Sequence, residues 1–209
     1  MLTLYGSRGS GSAAVEAALV LLGRPFRAVR ASTWEDDSAQ AELRAVNPLG
    51  QIPTLVLEDG SVMTESAAIL AHLGLEHPAS GLLPAEASAR AQALRGLVFI
   101  AANCYAAISV IDYPERWLAE PDDAGCQRLR RGTRERLHQH WSLFADQFGS
   151  RLGTGERPSA LDLLASVVSR WSGTRALLAK ERPDCHARLQ AVDRHPAVAE
   201  VFARHWPAA

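Results

Sequence analysis

The sequence predicts an α/β domain followed by an all-α domain. Short apolar segments typical of strands occur only before about residue 85, where they alternate with helical patterns. After that point the apolar residues recur with the 3.6-residue period of helices. A turn-rich segment, EHPASG, lies close to where the periodicity changes. We therefore predict domains at 1–78 and 87–209, joined by a linker at 79–86.

Two strands and a helix are predicted at the start of the chain. Residues 2–5 form the first strand, the small-residue turn GSRGSGS follows, and a helix over 13–22 ends at Gly23. Residues 26–29 form a second strand, so that the three elements make a βαβ unit. A polar and acidic segment over 33–46 becomes helical toward its end.

The next segment, NPLGQIPTLVLEDGSVMTES, combines a turn, a hairpin and a helix start. Proline lacks the N–H that a sheet needs, so Pro53 belongs at the beginning of the strand over 54–57, and an X-Pro bond can be cis at low cost. An Asp-Gly turn leads to a second short strand over 61–63. The hydroxyl residues in TES cap a helix that runs to about residue 75.

This arrangement predicts a groove that binds an extended peptide. A cis bond would turn the Ile52 N–H and C=O outward, and the helix that begins at Ser66 would direct its free N–H groups to the same place. A bound peptide would pair with Ile52, place a carboxylate at Ser66 and an ammonium group beside Glu65. Glutathione, γ-Glu-Cys-Gly, carries these groups.

With NPLGQIP and TES at this spacing, the order of elements resembles the thioredoxin-like N-terminal domain of the soluble glutathione transferases of bacterial type. The Ser-x-x-Asp cap at 159–162 is similar to a cap in the helical domain of the same family. The resemblance implies a homodimer with glutathione as co-substrate. It implies that five residues bind glutathione: Gln51, Ile52, Pro53, Glu65 and Ser66.

In this family the turn after the first strand supplies the group that activates the thiol. A hydroxyl and the positive end of a helix dipole there lower the pKa of a bound thiol from about 8.5. Ser10, flanked by glycines, is the first catalytic candidate, followed by Ser12 and then Ser7. Ser12 is also a candidate N-cap for the first helix.

The second substrate is expected to be a small hydrophobic electrophile held by the helical domain. Candidate residues for its site are Asn103, Tyr105 and Tyr113, with Trp117 nearby, and each is also a candidate core or dimer contact. In the family that the chain resembles, a cation from the segment after the second strand usually holds the glycyl carboxylate of glutathione. This chain has no Lys or Arg between Arg30 and Arg44. The glycyl carboxylate is therefore expected to contact Gln51, Trp34 or water.

Composition limits the other possibilities. With 22 basic and 23 acidic residues and a net charge of -1, nothing indicates a nucleic-acid or acidic-membrane partner. Three cysteines without a pairing pattern favour a reducing cytoplasm.

The N-terminus lacks the basic flank and apolar core of a signal peptide, and no membrane span is expected. No metal is expected, because His138 and His140 are two residues apart and point to different sides of a helix.

Three functions remain open at this stage. The first is an enzyme that adds the glutathione thiolate to small hydrophobic electrophiles, as in detoxification. The second uses the same thiolate for glutathione-dependent reduction of peroxides or disulfides. The third is a glutathione-binding protein that keeps the fold without catalysis.

Overall fold

The computed structural model describes residues 1–32 and 34–207. Thr33, where the predicted polar segment begins, and residues 208–209 of the predicted helical domain lie outside the described residues. The strands are β1 (Leu2–Gly6), β2 (Phe26–Arg30), β3 (Thr54–Val56) and β4 (Val62–Met63). The helices are α1 (Ser12–Leu21), α2 (Gln40–Val46), α3 (Ser66–Glu76), α4 (Ala87–Phe99), α5 (Ala106–Asp112), α6 (Asp123–Phe148), α7 (Ala160–Val168), α8 (Thr174–Glu181), α9 (Pro183–Asp193) and α10 (Pro196–His205).

The four strands form one mixed sheet in the order β2-β1-β3-β4. β1 is parallel to β2, with Leu4 opposite Ala28, and antiparallel to β3, with Leu4 opposite Leu55. Alternate residues of a strand point to opposite faces. Leu4 and Leu55 therefore belong to the main core with α1 and α3, whereas Tyr5 packs with Leu43 of α2 on the other face.

α1 and α7 lie at the centre of the molecule. Eight of the ten residues of α1 are buried, the exceptions being Glu16 and Val20, and all nine residues of α7 are buried. The small side chains of α1, chiefly alanine, allow the sheet on one side and α7 on the other to pack closely against it. One continuous hydrophobic core therefore joins the sheet to the helical layer.

α4 and α5 are joined by a π-helical segment, Ile100–Tyr105, into one stretch, Ala87–Asp112. The sequence predicts a helix over 87–110 here without an interruption. By length and composition alone the stretch could cross a membrane, a test that core helices of soluble proteins also pass. The π segment adds a residue to the helical turn and so changes the direction of the side chains around it, including Tyr105.

The predicted fold class is confirmed: a thioredoxin-like α/β unit precedes an all-helical region. The predicted helix over 159–171 is shorter in the structure, because α7 ends at Val168. The left-handed backbone of Ser172 and Gly173, with φ angles of 55° and 80°, lies beyond this end and directly before α8 begins at Thr174.

Candidate functional site

A cleft of about 530 Å³ lies between the α/β unit and the α4–α5 stretch. Its walls are formed by the turn after β1, the loop before β3, the start of α3, the middle of the α4–α5 stretch and Trp171. The structure brings most of the predicted site residues into this cleft: Ser10, Gln51, Ile52, Pro53, Glu65, Ser66, Tyr105 and Tyr113. Trp34 lines it as well.

Asn47 holds the loop before β3. Its buried side-chain amide donates to the Gln51 carbonyl at 3.0 Å and to the Thr54 hydroxyl at 2.9 Å. The Thr54 hydroxyl in turn donates to the same Gln51 carbonyl at 2.8 Å. The Ile52–Pro53 bond is cis, and among the described residues no partner hydrogen-bonds the Ile52 N–H or C=O. Ile52 therefore offers a free donor and a free acceptor at the wall of the cleft.

The start of α3 forms an anion-binding end of the cleft. The first intrahelical bond runs from the Ile69 N–H to the Glu65 carbonyl at 2.9 Å, so the N–H groups of the three preceding residues lack helical partners. Ser66 is 5% exposed, and its hydroxyl makes no hydrogen bond to the described residues. Free N–H groups and the helix dipole favour a negative ligand at this point.

Glu65 precedes this helix with a φ of 63°, a backbone conformation that side-chain-bearing residues rarely adopt. Its carboxylate forms no ion pair with a described residue and lines the cleft beside Ser66. Such strained residues cluster at ligand-binding sites, because the surrounding structure must hold them in place. Glu65 therefore places a negative charge next to the anion-binding end, an arrangement suited to a ligand with both an ammonium and a carboxylate group.

The three candidate serines form a hydrogen-bond network inside the turn after β1. The Ser7 hydroxyl donates to the Glu35 carboxylate at 2.7 Å. The Ser10 hydroxyl donates to the Ser7 carbonyl at 2.7 Å and lies 2.7 Å from the Ser12 hydroxyl oxygen, which is 3.3 Å from the same carbonyl. All three serines are buried. Ser12 is not among the residues that line the cleft.

Hydrogen bonds also determine the charge of Glu35. Donation from the hydroxyls of Ser32 and Ser7 lowers the pKa of this carboxyl. Glu35 is therefore a carboxylate at neutral pH and a strong acceptor for the Ser7 proton. The hydroxyl of Ser7, the third catalytic candidate, is thus bound to the Glu35 carboxylate and is not available to a ligand.

The C-terminal helix holds the outer side of the same turn, a contact that the sequence analysis missed. The Gly9 N–H donates to Nδ1 of His205 at 3.2 Å, and Nε2 of His205 lies 2.8 Å from Glu16 of α1. Arg8 Nε donates to the Arg204 carbonyl at 3.1 Å. These pairs are separated by almost the whole chain, so no local sequence pattern could indicate them.

The helical side of the cleft is aromatic. The ring centroids of Tyr105 and Trp171 are 5.4 Å apart, and the Arg116 guanidinium carbon lies 3.9 Å from the centroid of the Tyr113 ring. Burial raises the pKa of Tyr105 to about 12. Asn103 does not line the cleft, because its amide donates to the Phe99 carbonyl of the same helix at 3.2 Å.

Comparisons with known proteins show which family the chain resembles. A family profile described as the N-terminal domain of glutathione S-transferase matches residues 12–76. An uncharacterized GST-like protein, YncG, of Escherichia coli K12 is 30% identical over 206 residues, which cover 98% of each chain.

Two solved structures, each about a quarter identical in sequence to this chain, have the same fold. A glutathione transferase homologue from Sulfitobacter, with bound glutathione, is 26% identical with a TM-score of 0.79 over 96% of both chains. A sphingomonad glutathione S-transferase complexed with glutathione is 25% identical with a TM-score of 0.77, covering 99% of this chain and 100% of that one. With the YncG match spanning nearly the whole length, the chain belongs to the glutathione S-transferase family.

Proposed function

We propose that the cleft binds glutathione and that the protein transfers its thiolate to small hydrophobic electrophiles. The observation that carries the proposal is the convergence of three ligand-binding features: the free backbone of Ile52, the start of α3 at Ser66 and the carboxylate of Glu65. They complement the cysteinyl backbone, the γ-glutamyl carboxylate and the γ-glutamyl ammonium group of glutathione.

The glycyl end of glutathione extends toward Gln51 and Trp34 in this proposal. Both residues line the cleft, and Trp34 is 53% exposed, so that its indole N–H is available to a carboxylate. Neither group carries a positive charge. The affinity for glutathione should therefore depend mainly on the γ-glutamyl end and on the cysteinyl backbone.

The electrophile occupies the aromatic side of the cleft. Tyr105, Tyr113, Trp171 and Ile108 form its apolar wall. An apolar pocket next to an activated thiolate suits a co-substrate with a hydrophobic body. Addition to such an electrophile needs only the thiolate and a site for the second substrate.

Glutathione-dependent reduction of peroxides or disulfides remains a second candidate, because it uses the same thiolate. None of the described residues that line the cleft is a cysteine. Cys104 is buried, and burial raises its pKa to about 12. Exchange through a protein thiol is therefore disfavoured relative to chemistry on glutathione itself.

Isothermal titration calorimetry with glutathione tests the binding site. The protein should bind glutathione, and Ser66→Ala should weaken binding by about tenfold, since one hydrogen bond to a charged ligand group contributes about 1.5 kcal/mol. Ser88→Ala, in the first turn of α4 outside the cleft, is the control and should bind as the parent does. Equal affinity of the Ser66 variant and the parent would place the carboxylate elsewhere.

We further propose a cytoplasmic homodimer. A second groove, between α3 and the α4–α5 stretch, is lined by small and apolar side chains, and Val98 is 62% exposed there. This groove has a volume of about 400 Å³ and is lined by Ala67, Ala68, Ala71, Leu94, Leu97, Val98, Ala101 and Ala102, with Glu65 at its edge. A second copy of the chain placed on this groove would lie next to Glu65 and therefore next to the glutathione site.

A further inference from the structure

None of the serine hydroxyls in the turn after β1 is directed at a ligand. The protons of Ser10 and Ser12 have acceptors within the turn, and that of Ser7 goes to Glu35. The main-chain N–H of Ser12 donates back to the Ser10 hydroxyl oxygen at 3.2 Å. The buried Ser10 hydroxyl therefore works as a cap for the first turn of α1, and turning it toward a ligand would break several hydrogen bonds.

The Tyr105 hydroxyl lies at the start of α1, against the backbone of Gly11. A Cβ atom added at Gly11 would be 2.1 Å from the Tyr105 hydroxyl oxygen, so only glycine allows the hydroxyl to approach so closely. Both residues line the cleft. Among the described residues, no acceptor takes the Tyr105 hydroxyl proton. The proton is therefore available to a ligand at the N-terminus of α1.

The rest of the fold holds the Tyr105 ring in this position. Tyr105 is the last residue of the π-helical segment, and such segments occur often at functional sites because they redirect a side chain without ending the helix. The ring packs on Trp171 at a centroid distance of 5.4 Å. Two independent contacts, to Trp171 and to Gly11, thus hold the hydroxyl at the wall of the cleft beside the N-terminus of α1.

We propose that the Tyr105 hydroxyl, from the helical region, donates the hydrogen bond that holds the glutathione thiolate at the N-terminus of α1. The inference rests on the proposed binding of glutathione. The thiol loses its proton to water, and Tyr105 keeps its own proton and stabilises the sulfur anion. Gly11 supports the arrangement by leaving space for the hydroxyl. Tyr105 is then a catalytic residue rather than only a wall of the electrophile site.

The environment of Tyr105 suits a permanent donor. Burial raises its pKa to about 12 and outweighs the lowering by a hydrogen bond from the Gly11 N–H, while the nearby carboxylates of Glu65 and Asp112 raise it further. The hydroxyl therefore stays protonated at neutral pH, where a thiolate needs a donor and not a second anion. The start of α1 adds its positive dipole to the same position.

Ultraviolet absorbance of the glutathione thiolate, measured between pH 5 and 9, tests the proposal beside calorimetric titration of the same samples. In Tyr105→Phe, which keeps the ring on Trp171, glutathione should still bind, and the ionised fraction at pH 7 should fall by about tenfold or more as the thiol pKa returns toward about 8.5. Gly11→Ala, which displaces the hydroxyl without removing it, should cause the same loss. Gly132→Ala, at an exposed glycine with no neighbour within 4 Å, is the control.

The outcomes separate this inference from the proposed function. A normal thiolate band in Tyr105→Phe with bound glutathione overturns the role of Tyr105 and leaves the turn as the source of the donor. If Tyr105→Phe fails to fold or bind, Gly11→Ala decides in the same way, since a normal thiolate band in that variant overturns the proposal. If the parent protein does not bind glutathione in the calorimeter, the proposed function fails and this inference fails with it.

Discussion

Individual hydrogen bonds decide where the polar groups of this site point. Ser10, flanked by glycines, is the first catalytic candidate in the turn, and yet its proton is held by the Ser7 carbonyl. Tyr105 is far away in the sequence, and its hydroxyl nevertheless reaches the backbone of Gly11. Residue type and position in a motif thus identify the candidates, whereas the local acceptors determine which hydroxyl a ligand can use.

The carboxyl group of one residue, Glu16, makes the stability of the fold depend on pH. Burial raises the pKa of this carboxyl, but hydrogen bonds from His205 and Arg204 outweigh burial and lower the pKa below its ordinary value of 4.5. A carboxyl whose pKa is lower in the folded state stabilises the fold above its unfolded-state pKa. That contribution is lost as the pH falls through the folded-state pKa, in the window below about pH 4.5.

Glu16→Gln should therefore lower the free energy of unfolding by about 1–2 kcal/mol at pH 7 and by much less at pH 3. Urea denaturation at the two pH values measures the difference. Glu200→Gln, at an exposed position on α10, should change stability by less than about 0.5 kcal/mol at either pH. An equal loss for Glu16→Gln at both pH values would show that Glu16 acts by packing and not by charge.

At the scale of elements, the start of α7 matters most, because this helix is buried on all sides. Asp162 accepts from the Ser159 N–H at 2.8 Å and from the Gly153 N–H at 2.7 Å, and the Ser159 hydroxyl accepts from the Asp162 N–H at 3.2 Å. This capping box anchors both the helix and the loop before it.

Asp162→Ala should lower the free energy of unfolding by about 2–4 kcal/mol, because it removes the cap and leaves main-chain donors near the core without partners. The midpoint of urea unfolding should fall while the slope stays the same. Asp36→Ala removes an exposed carboxylate that has no hydrogen bond to the described residues, and it should have almost no effect. A loss below about 1 kcal/mol for Asp162→Ala would mean that water replaces the carboxylate.

At the scale of the whole molecule, the long α4–α5 stretch has an apolar surface that its own chain does not cover. Its most apolar 18-residue window has a mean hydropathy of 1.8, and 33% of that window is buried. Val98 is exposed within the groove formed with α3. A subunit interface is the simplest use for such a surface in the proposed homodimer.

Val98→Glu should therefore shift the protein from dimer to monomer, because it places a charge in the centre of the proposed interface. Light scattering after size-exclusion chromatography measures the mass. Leu143→Glu, at a residue that is 48% exposed on α6, should leave the mass unchanged. A monomeric parent protein, or a Val98 variant that stays dimeric, would contradict an interface at this groove.

Much of the site could be predicted from one continuous segment. The residues of the loop before β3 and of the start of α3 lie within twenty positions of one another, and local turn signals determine the geometry of the loop. The predicted hydroxyl cap of α3 is wrong, because the N-cap is Glu65 and no side chain accepts a hydrogen bond from the first turn. All five predicted glutathione-binding residues lie together in the cleft for this reason. The glutathione-binding roles themselves remain predictions for the calorimetric experiment.

The sequence alone determined the fold class and the location of the cleft, because periodicity, turn residues and capping residues are local properties of the chain. The tertiary structure decided which hydroxyl faces the start of α1, and it brought His205 and Glu16 to the turn after β1. Contacts between distant segments depend on the packing of whole helices, and packing depends on shape and volume, which no short sequence pattern encodes.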